Sequence, residues 1–255
     1  MFIDTHTHLD LVTDNENEIQ KIIKICKKSR ISALFNISVD HRSNFNSLRL
    51  AKKHKEIYFT CGLHPSEADH YTVSQINDIL PLIDHEKCVG IGEVGIDLFK
   101  NYSKVENQME LFERFLNIAK GVNKPVIIHS RNAFKEVFRI LNRNEYKDIK
   151  GVFHCYSYGY AEAKKCIDHG FYISFAGNLT YKNAVNLHET AVKIPMDHIL
   201  CETDSPFLAP VPVRGEKNYP YHLIHLLKFL SKLKGVSMIN LEKYIYKNIA
   251  RLFKL

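Results

Sequence analysis

The sequence predicts a (β/α)8 barrel, the TIM-barrel class, with its active site at the C-terminal ends of the strands. Three observations predict it. Eight short apolar runs are spread over 255 residues, segments with helical spacing separate them, and five of the runs finish on histidine or acidic side chains. Strand–helix alternation repeated eight times over about 250 residues is what such a barrel requires. A doubly wound open sheet is the structural rival.

In order, the strand-like runs cover residues 2–5, 32–38, 57–61, 88–93, 126–129, 151–154, 171–175 and 199–202. Between the fourth and fifth, Met109, Phe112, Leu116 and Ala119 recur at three- and four-residue steps, and Gly121 and Asn123 signal the stop before Lys124-Pro125. Phe134, Val137, Phe138 and Leu141 repeat the pattern after the fifth run, and residues 222–233 and 237–253 form two closing helices. No Gly/Ser/Pro-rich linker, low-complexity tract or internal repeat interrupts the series, so residues 1–255 are expected to form one domain.

Composition narrows the function classes. With 45% hydrophobic and 25% charged residues the chain is globular, and no stretch approaches the roughly 18 apolar residues of a membrane span. Met1-Phe2-Ile3-Asp4 has none of the basic-then-apolar character of a secretion signal. The net charge of +7 suits a polyanionic partner without proving one. Cys26, Cys61, Cys88, Cys155, Cys166 and Cys201 contain no C-x-x-C pair; the expectation is reduced, structural thiols in a cytoplasmic protein.

The chemistry lies at the run ends. The first run leads into His6-Thr7-His8, and residues two apart on extended chain project to the same side, so both imidazoles can reach one cation. The fourth ends on Glu93, the fifth on His129, the sixth on His154, and the eighth leads into the acids Glu202 and Asp204. In a parallel barrel these ends share one face. Four imidazoles and two carboxylates exceed the roughly three protein ligands of an open single-zinc site and suit two ions, with Glu93 the natural shared carboxylate. Mixed nitrogen and oxygen donors accept Zn²⁺, Mn²⁺ or Mg²⁺. By contrast His222 and His225 are expected on a helix surface, and Lys27-Lys28 and Lys52-Lys53 near helix ends. Tyr102, Tyr156 and Tyr219 are placed near the mouth, either to stack on a base or to cover an apolar edge.

The motifs resemble the TatD family of metal-dependent deoxyribonucleases, a branch of the amidohydrolase-like barrels. They are Phe2-Ile3-Asp4-Thr5-His6-Thr7-His8-Leu9-Asp10, Gly62-Leu63-His64-Pro65, Ile91-Gly92-Glu93-Val94-Gly95-Ile96-Asp97, Lys124-Pro125-Val126-Ile127-Ile128-His129-Ser130-Arg131, Val152-Phe153-His154-Cys155-Tyr156-Ser157 and Glu202-Thr203-Asp204-Ser205-Pro206-Phe207-Leu208-Ala209-Pro210, followed by Arg214-Gly215. The resemblance implies one metal site of His6, His8, Glu93 and Asp204, and a second of Glu93, His129 and His154. It implies that Asp204 orients or deprotonates the attacking water, that His64 and Arg131 lie near the substrate phosphate, and that Arg214 contacts the DNA backbone.

The implied activity is cleavage of DNA phosphodiester bonds by a hydroxide bridging two divalent ions, stepwise from a 3′ end, with no membrane and no obligate protein partner. The alternative is hydrolysis of a carbonyl ester or amide, such as D-aminoacyl-tRNA, on the same two metals. A mononuclear deaminase would have no use for a bridging Glu93, and a catalytically dead binding module no use for Asp204. Departures from the family pattern fall outside the ligands: Asn132 after Ser-Arg, Ser157-Tyr158-Gly159 after the sixth run, Asn218-Tyr219-Pro220 without a Glu, and Phe115 where Gln is frequent. These bear on substrate preference.

Overall fold

Alternating apolar runs and amphipathic segments fold as the predicted strand–helix series. The computed structural model describes residues 1–100 and 102–255. Its elements are β1 (Phe2–Thr7), α1 (Leu9–Val12), α2 (Glu16–Lys28), β2 (Ile31–Asn36), α3 (His41–Lys53), β3 (Ile57–Cys61), α4 (Val73–Ile79), β4 (Cys88–Asp97), α5 (Val105–Val122) and β5 (Val126–Arg131). They continue with α6 (Phe134–Leu141), β6 (Gly151–Phe153), α7 (Tyr160–Asp168), β7 (Tyr172–Phe175), α8 (Val185–Lys193), β8 (Ile199–Cys201), α9 (Leu223–Lys234) and α10 (Met238–Phe253). Eight parallel strands in chain order make this a (β/α)8 barrel. Among the described residues no helix is long and apolar enough to cross a membrane. All six cysteines are free thiols, five of them buried.

The chain forms two compact units, residues 1–36 with 155–255, and residues 37–154. In the first, β1 pairs with β2 through Phe2↔Ile31, Ile3↔Ala33 and Asp4↔Leu34, and β7 with β8 through Ile173↔Ile199 and Phe175↔Cys201. Helix α2 starts because Asn15 accepts the N–H groups of Asn17 and Glu18, and it buries Ile19, Ile22, Ile23 and Cys26. Helix α10 starts on Ser237, which accepts from Asn240 N–H, and buries Leu241, Ile245, Ile249 and Leu252 along one stripe. Each such side chain contributes about 1.5–3 kcal/mol when removed from water. Lys27 and Lys28 occupy the last turn of α2, as expected of cations at a helix C-terminus.

In the second unit β4 pairs with β3 and β5, and β5 with β6. The fourth strand departs from expectation. It does not stop at Glu93 but continues to Asp97, buried at all ten positions. The β4–β5 register shifts between Ile91 and Val94, so the strand absorbs an irregularity beside Glu93 and then resumes pairing as Gly95↔His129 and Asp97↔Arg131. Gly95, at φ +145°, lies so close to β5 that a Cβ would sit 1.9 Å from the His129 carbonyl oxygen. Helix α5 packs Leu111, Phe112, Phe115, Leu116 and Ala119 inward and ends on Asn123 in the left-handed conformation. Phe115 is therefore core, and the polar work on this helix falls to Gln108.

Candidate active site

Each unit carries a set of imidazole and carboxylate donors. In the first, β1 delivers His6 and leads into His8, both buried, with their Nε2 atoms 3.2 Å apart. Asp204 follows β8 and places Oδ1 3.6 Å from His6 Nε2 and 3.5 Å from His8 Nε2. Backbone bonds hold this triangle: Asp204 N–H donates to His6 C=O at 2.9 Å, and His8 N–H to Ser205 C=O at 2.8 Å. Asp204 sits at φ +54°, where Asp is among the better-tolerated residues.

Behind the triangle stands Asp4. Its carboxylate accepts Thr203 N–H at 2.9 Å and Thr203 Oγ1–H at 2.6 Å, which ties the start of β1 to the segment after β8. Burial drives its pKa up to about 8 in spite of those donors, and the nearby Glu202 charge adds to the rise. Asn218 donates from Nδ2 to the carbonyls of Thr203 and Phe207 at 2.9 and 2.6 Å and so fixes the same segment from the other side. Asn218 appeared in the sequence only as a departure from the family pattern; in the structure it is a buried brace. Glu202 accepts Cys155 N–H at 2.6 Å.

In the second unit, Glu93 Oε1 lies 2.6 Å from His129 Nδ1 and 2.7 Å from His154 Nε2, and those two nitrogens are 3.2 Å apart. His129 Nε2 lies 3.1 Å from Asp97 Oδ2. A carboxylate only accepts, so Nε2 carries the hydrogen and Nδ1 faces Glu93. His64, Glu93 and His129 form a group able to hold an ion. His64 accepts Ser66 N–H at Nδ1, which puts its hydrogen on Nε2, 3.8 Å from Glu93 Oε1.

The electrostatics follow from these contacts. Burial, then the charge of His129, pushes the His64 pKa down to about 3, so this ring is a neutral donor. Burial works against the His129 imidazolium, but Asp97 and Glu93 outweigh it and hold its pKa above the ordinary value. Burial likewise opposes ionisation of Asp97, yet His129 and the N–H groups of Lys100 and Phe99 bring its pKa to about 2.

Sequence reasoning missed Asp97 as a site residue. It was legible only as two more alternations beyond Glu93 on a strand assumed to have ended. Gln108 was missed too: its Oε1 accepts Asp97 N–H at 2.8 Å and its Nε2 donates to Ser103 C=O at 2.7 Å.

The first group has the spacing of a divalent-cation site, whereas the Glu93 contacts of the second, at 2.6 and 2.7 Å, are hydrogen-bond distances. An ion that holds nitrogen and oxygen at about 2.0–2.2 Å separates neighbouring ligand atoms by roughly 3.0–3.5 Å, and the His6–His8–Asp204 triangle measures 3.2, 3.6 and 3.5 Å. In the second group, His129 has a carboxylate on each ring nitrogen. That arrangement calls for positive charge on the Glu93 side, supplied by a proton or by a cation.

The two arginines expected to contact phosphates each lie on an aromatic ring. Arg131 stands 4.0 Å above Phe99, and Arg214 4.1 Å above Tyr181. Neither has a carboxylate partner among the described residues. Tyr102 is exposed, while Tyr219 stacks on Tyr221 at 5.1 Å. Tyr156 corrects an expectation: it is 2% exposed and its hydroxyl donates to Gly159 C=O, so it belongs to the core and offers no face to a base. His222 Nδ1 pairs with Asn218 Oδ1 at 3.1 Å, a local contact at the entry to α9.

A (β/α)8 barrel with imidazole–carboxylate donor sets after its strands is the architecture of a metal-dependent hydrolase. Comparison with known proteins narrows this: residues 3–254 match the TatD-related DNase family, and the chain belongs to it. It is 35% identical over 258 residues to a metal-dependent hydrolase of Buchnera aphidicola (subspecies Baizongia pistaciae), covering 99% of this chain and 96% of that one. It is 32% identical over 255 residues to the metal-dependent hydrolase YabD of Bacillus subtilis strain 168, covering all of both. Among solved structures, the TatD homologue YjjV of Escherichia coli K12 superposes with a TM-score of 0.92 at 24% identity, over 100% of this chain and 98% of that one, which establishes the shared fold.

Proposed function

We propose that this protein hydrolyses DNA phosphodiester bonds stepwise from a 3′ end, with two divalent cations drawn from Mg²⁺, Mn²⁺ or Zn²⁺. The observation that carries the reading is the pair of donor groups, each of two imidazoles and one carboxylate: His6, His8 and Asp204, and Glu93, His129 and His154. These residues would hold the ions, which would supply Lewis acidity toward a phosphoryl oxygen and lower the pKa of water.

The chain's own residues do the rest. Asp204 presents a carboxylate oxygen beside two imidazoles and accepts the proton of the attacking water. Asp97 fixes the tautomer and tilt of His129, so that Nδ1 is the nitrogen turned toward Glu93. His64, its ring kept neutral, presents its single Nε2–H as a donor for a non-bridging phosphate oxygen. Arg131 and Arg214 add positive charge for the flanking phosphates. Family membership and the net charge of +7 support a nucleic-acid substrate.

The test is turnover by metal-stripped protein reloaded with each ion. Substrates are 3′-end-labelled single-stranded DNA, duplex DNA, RNA and D-aminoacyl-tRNA. Stepwise loss of 3′ nucleotides from DNA is the expected result. Deacylation of the tRNA without any cleavage of DNA would overturn the reading in favour of a carbonyl ester hydrolase.

A further inference from the structure

Outside the donor groups, the first unit contains a cavity that the reaction as described does not use. Its volume is about 340 Å³, at the small end of the range for sites that take small molecules. Asn178, Asn183 and Asn186 line it with amides and Ser157 with a hydroxyl; Tyr181 and Leu187 supply ring and apolar wall. No lining residue carries a carboxylate. Asn178 Oδ1 itself is shut off from solvent and has no donor among the described residues.

The cavity belongs to the catalytic end of the unit. Asn178 lies in the turn of Gly177–Thr180 directly after β7, and this turn is laced to the segment after β8. A Cβ on Gly177 would meet Leu208 C=O at 1.9 Å, Thr180 Oγ1 accepts Val211 N–H at 2.9 Å, and Tyr181 Oη–H donates to Ala209 C=O at 3.0 Å. The same segment begins with Asp204. The Arg214 guanidinium lies 4.1 Å from the centroid of the Tyr181 ring, and Tyr181 is one of the lining residues.

From this geometry we infer that the cavity is a nucleobase subsite. It takes a base of the bound strand between the amides of Asn178, Asn183 and Asn186 and the Tyr181 wall, with Arg214 on the adjoining phosphate. The inference rests on the DNA-hydrolase reading and adds to it a place where base identity is felt. Planar amides present a donor and an acceptor side by side, the pattern that pairs with an adenine edge. Tyr181, Ala184 and Leu187 accept the apolar face of a base, which phosphate or sugar alone does not need. A free sugar would also satisfy the amides, and the experiment separates the two.

Calorimetric titration of the metal-loaded protein with 2′-deoxyadenosine 5′-monophosphate and with 2-deoxyribose 5-phosphate measures what the base adds, since both carry the same phosphate and sugar. The expected ratio of affinities is roughly tenfold in favour of the nucleotide. It should fall toward one in Asn186→Ala, an exposed position in the first turn of α8, and in Asn178→Ala. Equal affinity of the two probes in the wild-type protein would overturn the inference. So would a tenfold ratio that survives in both variants, because the base would then bind elsewhere. Parallel turnover assays keep the readings apart: DNA cleavage with a ratio of one removes only the subsite, and a tenfold ratio without DNA cleavage removes the hydrolase reading.

Discussion

Asp97 Oδ2 and His129 Nε2 lie 3.1 Å apart, and through this contact a carboxylate four residues beyond Glu93 decides which nitrogen of His129 faces the donor group. An asparagine at 97 can turn either an oxygen or an NH₂ toward the ring, so the tautomer is no longer imposed. Asp97→Asn should weaken divalent-ion affinity by about 10- to 100-fold with the fold intact. Competition against a chelator of known affinity measures it, and unchanged affinity would show that His129 needs no orienting partner.

The same carboxylate makes a pH prediction for the metal-free protein. Its folded pKa of about 2 lies below the unfolded value near 3.9. The resulting stability is present above about pH 4 and lost as pH falls toward 2, and amounts to about 2 kcal/mol. Urea unfolding between pH 2 and 5 should show the difference between wild type and Asp97→Asn narrowing as pH drops. A pH-independent difference would mean the carboxylate's charge contributes nothing.

Gly95→Ala should be severely destabilising, by more than about 3 kcal/mol, because the added methyl collides with the His129 backbone at a φ that L-residues avoid. Gly121→Ala is the matched control. It lies near the end of α5 with open space around the new atom, so stability should hold or rise by up to about 1 kcal/mol. Denaturant midpoints of the two variants decide the matter.

Asp204→Asn isolates proton transfer. Asparagine accepts the positive φ at this position as well as aspartate does, so the backbone should be undisturbed. Turnover should fall at least about 100-fold with metal in excess, while thermal unfolding and DNA binding are retained. Near-normal turnover would send the proton to another group.

Arg214→Ala should weaken DNA binding evenly across sequences and reduce the salt slope of log affinity by about 1. Binding isotherms at several salt concentrations read this directly; an unaltered slope would mean that Arg214 only covers Tyr181.

Most strands and helices were legible because each element needs only its own periodicity. Residues 109–119 announce α5, and Ser237 with the apolar stripe after it announces α10. His6 and His8 were legible for the same local reason. What could not be read depends on partners far away in the chain. The sequence points to an end of β4 at Glu93 because a charged residue normally closes an apolar run. The strand continues because His129 and the turn N–H groups satisfy Asp97. Asn218 and Gln108 looked like ordinary polar residues, since nothing nearby in sequence reveals the carbonyls they bond. The position of Tyr156 after a strand points to the mouth, and only packing shows that it is interior.

The clasp of Asp4 by Thr203 joins residues 199 apart in the chain. During synthesis His6 and His8 are joined to the chain almost at once, but Asp204 only after residues 37–154 have been made and a further fifty have followed. A nascent chain therefore carries two histidines with no carboxylate to complete their triangle for most of its translation. Truncation anywhere before residue 204 leaves a product that lacks this donor set.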